Sequence, residues 1–390
     1  MVGWVVFFHQ TDCNGRQINS KNRLPRFLFA PLQDILQPQS TLINATMEQT
    51  AKRTEISDLG EFGLIEHLTK NFVIHNSSTL KGVGDDAAVI DNSSCLTLVS
   101  TDMLVEGIHF DLMYFPLKHL GYKSVVVNLS DIYAMNARPK QVTVCIGISN
   151  RFSVEALDEL YEGIRLACAH YGVDLVGGDT TSSQKGLIIS ITAIGQGEKD
   201  KIAYRSGAKP GDLLCITGDL GASYLGLQLL EREKQIYLSN PDIQPDLEEQ
   251  EYIIGRFLKP EARKDMVEIL QEAGITPTSM IDVSDGVSSD LMHICKASGV
   301  GAIVEETGIP IHNDTKMMAL KFKLDPLVCA LNGGEDYELL FTINPADIEK
   351  LRLLPDIYIL GEITEAAEGV KLHTNGGKRH DLTAQGWKHF

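Results

Sequence analysis

Short apolar runs alternate with longer stretches of helical period from residue 87 to residue 363, and this alternation constrains the fold more than any other feature of the chain. Strands are expected at 87–90, 96–100, 142–148, 175–176, 187–194, 213–217, 280–283, 301–305, 337–343 and 357–363. Helices are expected at 117–135, 154–171, 222–233, 262–273 and 288–298. A chain that interleaves the two kinds of element in this way folds as α/β or α+β. Its 390 residues leave room for two domains. The segment 197–212, with Arg205, Gly207, Pro210 and Gly211, is turn-rich and sets the expected boundary, giving domains at 47–197 and 198–390. A second polar stretch, 239–251, reads as a surface excursion. Residues 1–46 mix Gln, Asn, Pro and Ser with scattered apolar residues and keep no period. They read as an N-terminal extension, non-native or disordered, with the natural start at Met47; the alternative is an ordered N-terminal arm. Beyond it, Ser57 or Asp58 can cap a helix, with Glu61 closing a capping box.

Charge and composition exclude some functions. Asp and Glu number 52 against 35 Lys and Arg, a net charge of −17. A general nucleic-acid binder would carry a basic footprint instead. An acidic protein can still hold a polyanion if divalent cations bridge the two, and Asp-rich sites hold such cations. The seven cysteines form no CxxC pair and no His/Cys cluster of zinc spacing, so they read as reduced, mostly buried thiols of a cytoplasmic protein. No apolar run reaches the roughly 18 residues of a membrane span. The apolar start, residues 1–8, lacks a basic flank and a cleavage site, so it is not read as a signal peptide.

Acid-bearing segments recur along this framework. Gly82-Val83-Gly84-Asp85-Asp86 sets two carboxylates beside glycines that let a ligand approach the backbone, or is a plain β-turn. Ser100-Thr101-Asp102, at the end of an apolar strand, forms a hard-oxygen cation site or a cap. His109 follows it, and a lone histidine is more often structural than functional. Asn128-Leu129-Ser130-Asp131 lies in a long amphipathic helix; Asp131 is either solvent-facing or paired with metal, because an unpaired carboxylate is costly to bury. Gly177-Gly178-Asp179-Thr180-Thr181 places another acid at a strand end. In Ile281-Asp282-Val283-Ser284-Asp285-Gly286, Asp282 and Ser284 share one side of an extended strand, and the following helix N-terminus favours phosphate. Asn332-Gly333-Gly334-Glu335-Asp336 leads into a further strand. Each signal is modest, but acids that collect at turns and strand ends, rather than on helix faces, suggest several Mg²⁺ ions around a polyphosphate. There is no GxxxxGK[ST] loop and no protein-kinase motif set. Gly218-Asp219-Leu220-Gly221 reads as a tight strand-to-helix turn rather than a dinucleotide site.

Taken in order, GVGDDAA, STDMLVEGIHF, NLSDIYAM, VGGDTT, RSGAKPGD, IDVSDG and LNGGEDYELL resemble the thiamine-monophosphate kinase family over nearly all of residues 54–390. That family sits among the aminoimidazole ribonucleotide synthetase-like ATP-binding enzymes, with selenophosphate synthetase and a hydrogenase-maturation enzyme. The resemblance implies a two-domain α/β (α+β) architecture. N-terminal domains would pair in a homodimer with a β-barrel-like core, the C-terminal domain would be α/β, and ATP would lie in a cleft. It implies phosphorylation of thiamine monophosphate by ATP to give thiamine diphosphate, the last step in making that product, by direct in-line transfer with several Mg²⁺ ions. Matched position by position, Asp86, Ser100, Thr101, Asp102, Asp131, Asp179, Asp282 and Asp285 would hold magnesium. Tyr161, Gly178, Asp179, Arg205 and Ser284 would contact ATP, and His109, Glu335 and Trp387 would touch thiamine monophosphate. Residues 1–46 have no counterpart in the family pattern.

The implied chemistry suits the residue types. Both reactants are anions, and carboxylate-bound cations can screen and align them. The acceptor phosphate has a second pKa of about 6 and is mostly a dianion at neutral pH, so no general base is required and none is nominated. Arg205 would offer fixed donors to phosphate oxygens. The competing readings are another enzyme of the superfamily, making selenophosphate or aminoimidazole ribonucleotide, or a non-catalytic nucleotide or thiamine-diphosphate sensor. Cys13 lies in no glycine-rich or Lys-bearing context of the kind a selenophosphate synthetase would need, and the retained Asp set speaks against a sensor.

Overall fold

In this computed structural model, short apolar runs, alternating or continuous, form the sheets, and stretches of helical spacing form the helices. The structure describes residues 54, 59, 64, 67–81, 89–92 and 95–384. The first half contains β1 (Thr79–Lys81), β2 (Val89–Ile90), β3 (Leu96–Val105), α1 (Leu117–Tyr133), β4 (Arg138–Ile148), α2 (Val154–Tyr171), β5 (Asp174–Ser182) and β6 (Ile188–Gly197). The second contains β7 (Leu213–Thr217), α3 (Ala222–Ser239), α4 (Glu251–Leu258), α5 (Lys264–Glu272), β8 (Ser279–Asp282), α6 (Val287–Ser298), β9 (Val300–Glu305), α7 (Asn313–Lys321) and α8 (Pro326–Asn332). It is completed by β10 (Leu339–Ile343), α9 (Ile348–Leu351), β11 (Ile357–Glu365), β12 (Val370–His373) and β13 (Arg379–Asp381). The start-site reading at Met47, the cap residues Ser57, Asp58 and Glu61, and the 1–46 segment lie outside the described residues.

The first half builds a four-stranded sheet in the order β3-β6-β4-β5, antiparallel except for the parallel β4–β5 pair. Among the described residues no sheet closes into a barrel. Two expected strand ends prove to be strand interiors. β3 pairs with β6 over its whole length, so Ser100-Thr101-Asp102 lies mid-strand. β5 likewise continues through Gly177-Gly178-Asp179-Thr180 because β4 offers it hydrogen-bonding partners as far as Ile148. The alternation of side chains then puts Ser100 and Asp102 on the face toward α1, and Thr101 on the other face, bonded to Thr192 at 2.7 Å.

α1 and α2 cover one face of this sheet. α2 follows the expected rules: Ser153 accepts from the Ala156 N–H as N-cap, Glu155 stands in the first turn, and Gly172 ends the helix in the left-handed region. α1 does not. It was expected to be amphipathic, but it is buried nearly all round, polar Lys123, Ser124, Asn128 and Ser130 included. Such a helix belongs in a protein interior. It reaches that depth because Gly121 and Gly163 let the helices touch backbone to backbone: a Cβ at Gly121 would overlap the Leu160 carbonyl, and one at Gly163 the Lys118 carbonyl.

The second half builds a seven-stranded sheet in the order β13-β12-β9-β11-β7-β10-β8, antiparallel except between β12 and β9. Leu214, Ile216, Leu291, Ile294, Val304 and Leu340 form its buried core with α6. Residues 198–212, expected as a turn-rich boundary, carry no helix or strand and run between the two sheets. Among the described residues no helix is long and apolar enough to cross a membrane.

Candidate active site

The site is organised by α1, whose polar side chains reach β3, the end of β8 and the loop before β10. Lys123 Nζ donates to Glu335 Oε2 at 2.9 Å, in the loop before β10. Asn128 Oδ1 accepts from the Asp102 N–H at 2.8 Å, while its Nδ2 donates to the Ser124 carbonyl at 3.0 Å. The Ser130 hydroxyl donates to Asp282 at 2.6 Å, at the end of β8. Asp131 accepts from the Ser100 hydroxyl of β3. Lys123 and Ser130 are two helical turns apart and Asn128 and Asp131 one turn, so two stripes of a single helix fix residues from both halves of the chain.

The C-terminal wall is built from two segments zipped together. After β8, Val283-Ser284-Asp285-Gly286 leads into α6, and the Asp285 N–H bonds to the buried Asp290 carboxylate at 3.2 Å. Against it lies the loop 333–338, held by Glu335 N–H to the Ser284 carbonyl at 2.8 Å and Tyr337 N–H to the Val283 carbonyl at 2.9 Å. Glu335 and Tyr337 have φ of 56° and 53°. Bulky residues rarely adopt this left-handed backbone, and strain of this kind collects at functional sites.

Between these walls runs a cleft of about 1240 Å³. Thr101, Asp102, His109, Asp131, Asp282, Ser284, Asp285 and Glu335 line it, with Tyr224, Leu324 and Val328 on an apolar rim. His109 Nδ1 accepts from the Val105 N–H at 3.0 Å, so the neutral ring carries its proton on Nε2. Burial, and then the Asp131 charge, push Asp102 up to about 6. Asp131 and Asp282 are raised chiefly by burial; the Asp131 charge raises Asp282 further, while the Ser100 hydrogen bond and the Arg205 guanidinium pull Asp131 back. Burial and the charges of Asp282 and Asp285 raise Asp290 to about 8.

Most expected site residues therefore meet here, and some do not. Ser100 joins through Asp131, and exposed Arg205 through its field on the same carboxylate. Gly178 and Asp179 stand exposed on β5, at the far edge of the sheet from β3. Gly178 has a structural reason of its own: a Cβ there would overlap the Val144 carbonyl. The Tyr161 ring is buried edge-on to Phe72 and lines a separate small cavity with His67 and Arg165, because α2 turns that face away from the cleft. Asp86 and Trp387 lie outside the described residues. Lys123, Asn128 and Asp290 were not singled out from the sequence; the available signal was a polar residue at a helical position whose neighbours are apolar.

Among the described residues, no three carboxylate, histidine or cysteine side chains converge on one metal-sized point. The donor set nevertheless fits hard divalent cations. Asp102, Asp131 and Asp282 offer carboxylate oxygens, and the Asp131 charge raises the affinity of both Asp102 and Asp282 for protons, a repulsion that a cation would relieve.

The AIR synthase related protein family, N-terminal domain, matches residues 84–196. Thiamine-monophosphate kinase of Aquifex aeolicus (strain VF5) is 34% identical over 335 residues, covering 86% of this chain and 99% of that protein. Thiamine-monophosphate kinase of Buchnera aphidicola subsp. Schizaphis graminum (strain Sg) is 38% identical over 340 residues, covering 85% and 99%. A solved structure of AaThiL complexed with AMPPCP and TMP aligns with a TM-score of 0.66 at 32% identity, covering 88% of this chain and 99% of that one. With identity of this order sustained along almost the full length of these relatives, the chain belongs to the thiamine-monophosphate kinase family.

Proposed function

We infer that this chain transfers the γ-phosphate of ATP to the phosphate of thiamine monophosphate, releasing ADP and thiamine diphosphate. The observation that carries the reading is the group of mutually repelling carboxylates, half-buried Asp102 and Asp131 and buried Asp282, lining a cleft large enough for two substrates. Family membership supplies the substrates.

Asp102, Asp131, Asp282 and Asp285, with Ser100, Thr101, Asp86 and Asp179 as further donors, would hold Mg²⁺, whose charge would offset that of the two polyanions. The chain's own residues then have four tasks. α1 fixes the spacing of the carboxylates through Asn128 and Ser130. Arg205 offers planar, permanently charged donors to phosphate oxygens beside Asp131. Ser284 contacts ATP in the cleft, with Gly178 and Tyr161, which stand away from that cleft, as further candidates. His109, through its Nε2 proton, and Glu335 contact thiamine monophosphate, with Trp387 completing that subsite. No side chain need remove a proton, because the acceptor phosphate, with a second pKa of about 6, is already mostly dianionic at pH 7.

We also propose the division into domains 47–197 and 198–390, a cytoplasmic location, and a homodimer formed through the first of those domains. The face of the four-stranded sheet away from α1 supports the dimer. It presents Val99 and Met103, 65% and 55% exposed, beside Thr101.

The decisive assay is ADP release with and without thiamine monophosphate, with thiamine diphosphate measured in parallel. The expected outcome is ADP release that depends on thiamine monophosphate and matches thiamine diphosphate mole for mole. ADP release indifferent to that acceptor would sink the reading.

A further inference from the structure

Behind the cleft wall lies a buried lysine that the transfer chemistry does not use. The side chain of Lys123 is 2% exposed and is not part of the cleft wall, so it does not meet substrate. Burying an ammonium is expensive unless its hydrogen bonds and charge are met. Here they are met from three directions: Glu335 Oε2 at 2.9 Å, the Phe257 carbonyl at 3.1 Å, and the face of the Phe257 ring at 4.2 Å. Its partner Glu335 is different in kind. It is 32% exposed, lines the cleft, and stands on left-handed backbone between Gly334 and the buried Asp336. Lys123 is thus a charge held behind the wall, bonded to a carboxylate set in it.

We propose that Lys123 is a positioning residue for the acceptor substrate: from behind the cleft wall it anchors the Glu335 carboxylate and cancels its charge. The inference rests on reading Glu335 as a contact of thiamine monophosphate. An uncompensated carboxylate at that place would repel a phosphate dianion, strongly so in a partly desolvated cleft. Paired with Lys123 it is a neutral, oriented acceptor. The pair also ties α1, which carries Asp131, to the loop that packs on Ser284, so the acceptor contact and the carboxylate cluster keep a fixed spacing.

Steady-state kinetics on the full chain test this with Lys123→Met, Glu335→Gln and the double variant. Methionine keeps the unbranched stem over Phe257 and removes the charge. Each single variant is expected to raise KM for thiamine monophosphate about tenfold, the scale of one charge-assisted hydrogen bond, and to leave KM for ATP within about twofold. The double variant is expected to be no weaker than Glu335→Gln alone, because Lys123 acts through Glu335. Additive losses, or a Lys123→Met loss shared equally by ATP, overturn the positioning role while leaving the Glu335 reading in place. An unchanged KM for thiamine monophosphate in Glu335→Gln overturns the Glu335 reading and the inference with it. Should Lys123→Met fail to fold, the double variant, which leaves no unpaired carboxylate, decides by comparison with Glu335→Gln.

Discussion

Among single residues, Asp102 shows most clearly what the site demands of the fold. Its carboxyl is pushed from 3.8 to about 6 by burial and by Asp131. Between those values the folded protein binds a proton that the unfolded chain has lost. Stability from this group is therefore full below about pH 4, falls as pH rises to 6, and stays lost above it. Without divalent cations, Asp102→Asn is expected to stabilise the fold at pH 8 by about 1–3 kcal/mol and to change it little at pH 4. Paired thermal melts at the two pH values check this, and a variant less stable at pH 8 would contradict it. The same variant is expected to lose at least about a hundredfold in phosphoryl transfer, as when a site loses one preorganised charge-stabilising group. Gain of stability with loss of turnover is the signature of a residue kept for chemistry. Asp282, raised by burial and by the charges of Asp131 and Asp102, and Asp131, raised by burial, belong with it.

At the scale of elements, the crossing of α1 over α2 is the critical joint. Gly121 and Gly163 bring the two backbones into contact, and no side chain fits between them. Gly163→Leu is expected to force the helices apart and cost about 3 kcal/mol or more, read as a fall in the denaturant midpoint. Because α1 carries Asn128, Ser130 and Asp131, activity should fall even where the variant still folds; normal activity in a folded Gly163→Leu would show that the carboxylates do not depend on this crossing. The sequence revealed these elements unevenly. α2 was legible because its apolar period is long and its caps are standard, β6 because it alternates over ten residues, and β7 and β11 because short apolar runs stand between turn residues. α7 and α8 were missed, being short helices with few apolar residues facing inward. β12 and β13 were missed because strands of four and three residues carry too little alternation to be seen. The span of β3 was underestimated because polar Ser100-Thr101-Asp102 looked like an ending, whereas Met103-Leu104-Val105 continues the ladder.

For the whole molecule, the open face of the four-stranded sheet carries the dimer proposal. The double change Val99→Asp and Met103→Asp places charges on exposed positions of one face, where they disturb no core. Sedimentation equilibrium should show a dimer for the parent chain and a monomer for this variant; a variant that stays dimeric moves the interface elsewhere. The candidate site was more legible than the assembly that holds it. Acids beside glycines and hydroxyls stand out in a sequence, so Asp102, Asp131, Asp282 and Glu335 could be named, but Lys123 and Asn128 are hidden among apolar neighbours and acquire meaning only when a distant segment folds onto them.

The strand order has a consequence for how the protein is made. β7 lies between β11 and β10, and Thr217 at its end bonds to Leu339, 122 positions later in the chain. A ribosome adding about 5–20 residues per second needs on the order of ten seconds to cover that distance. Throughout that interval the emerging polypeptide presents Leu214, Cys215 and Ile216, which end fully buried, on a strand with neither neighbour yet synthesised. A chain that ends before Leu339 would leave β7 without either neighbour and its apolar side chains uncovered.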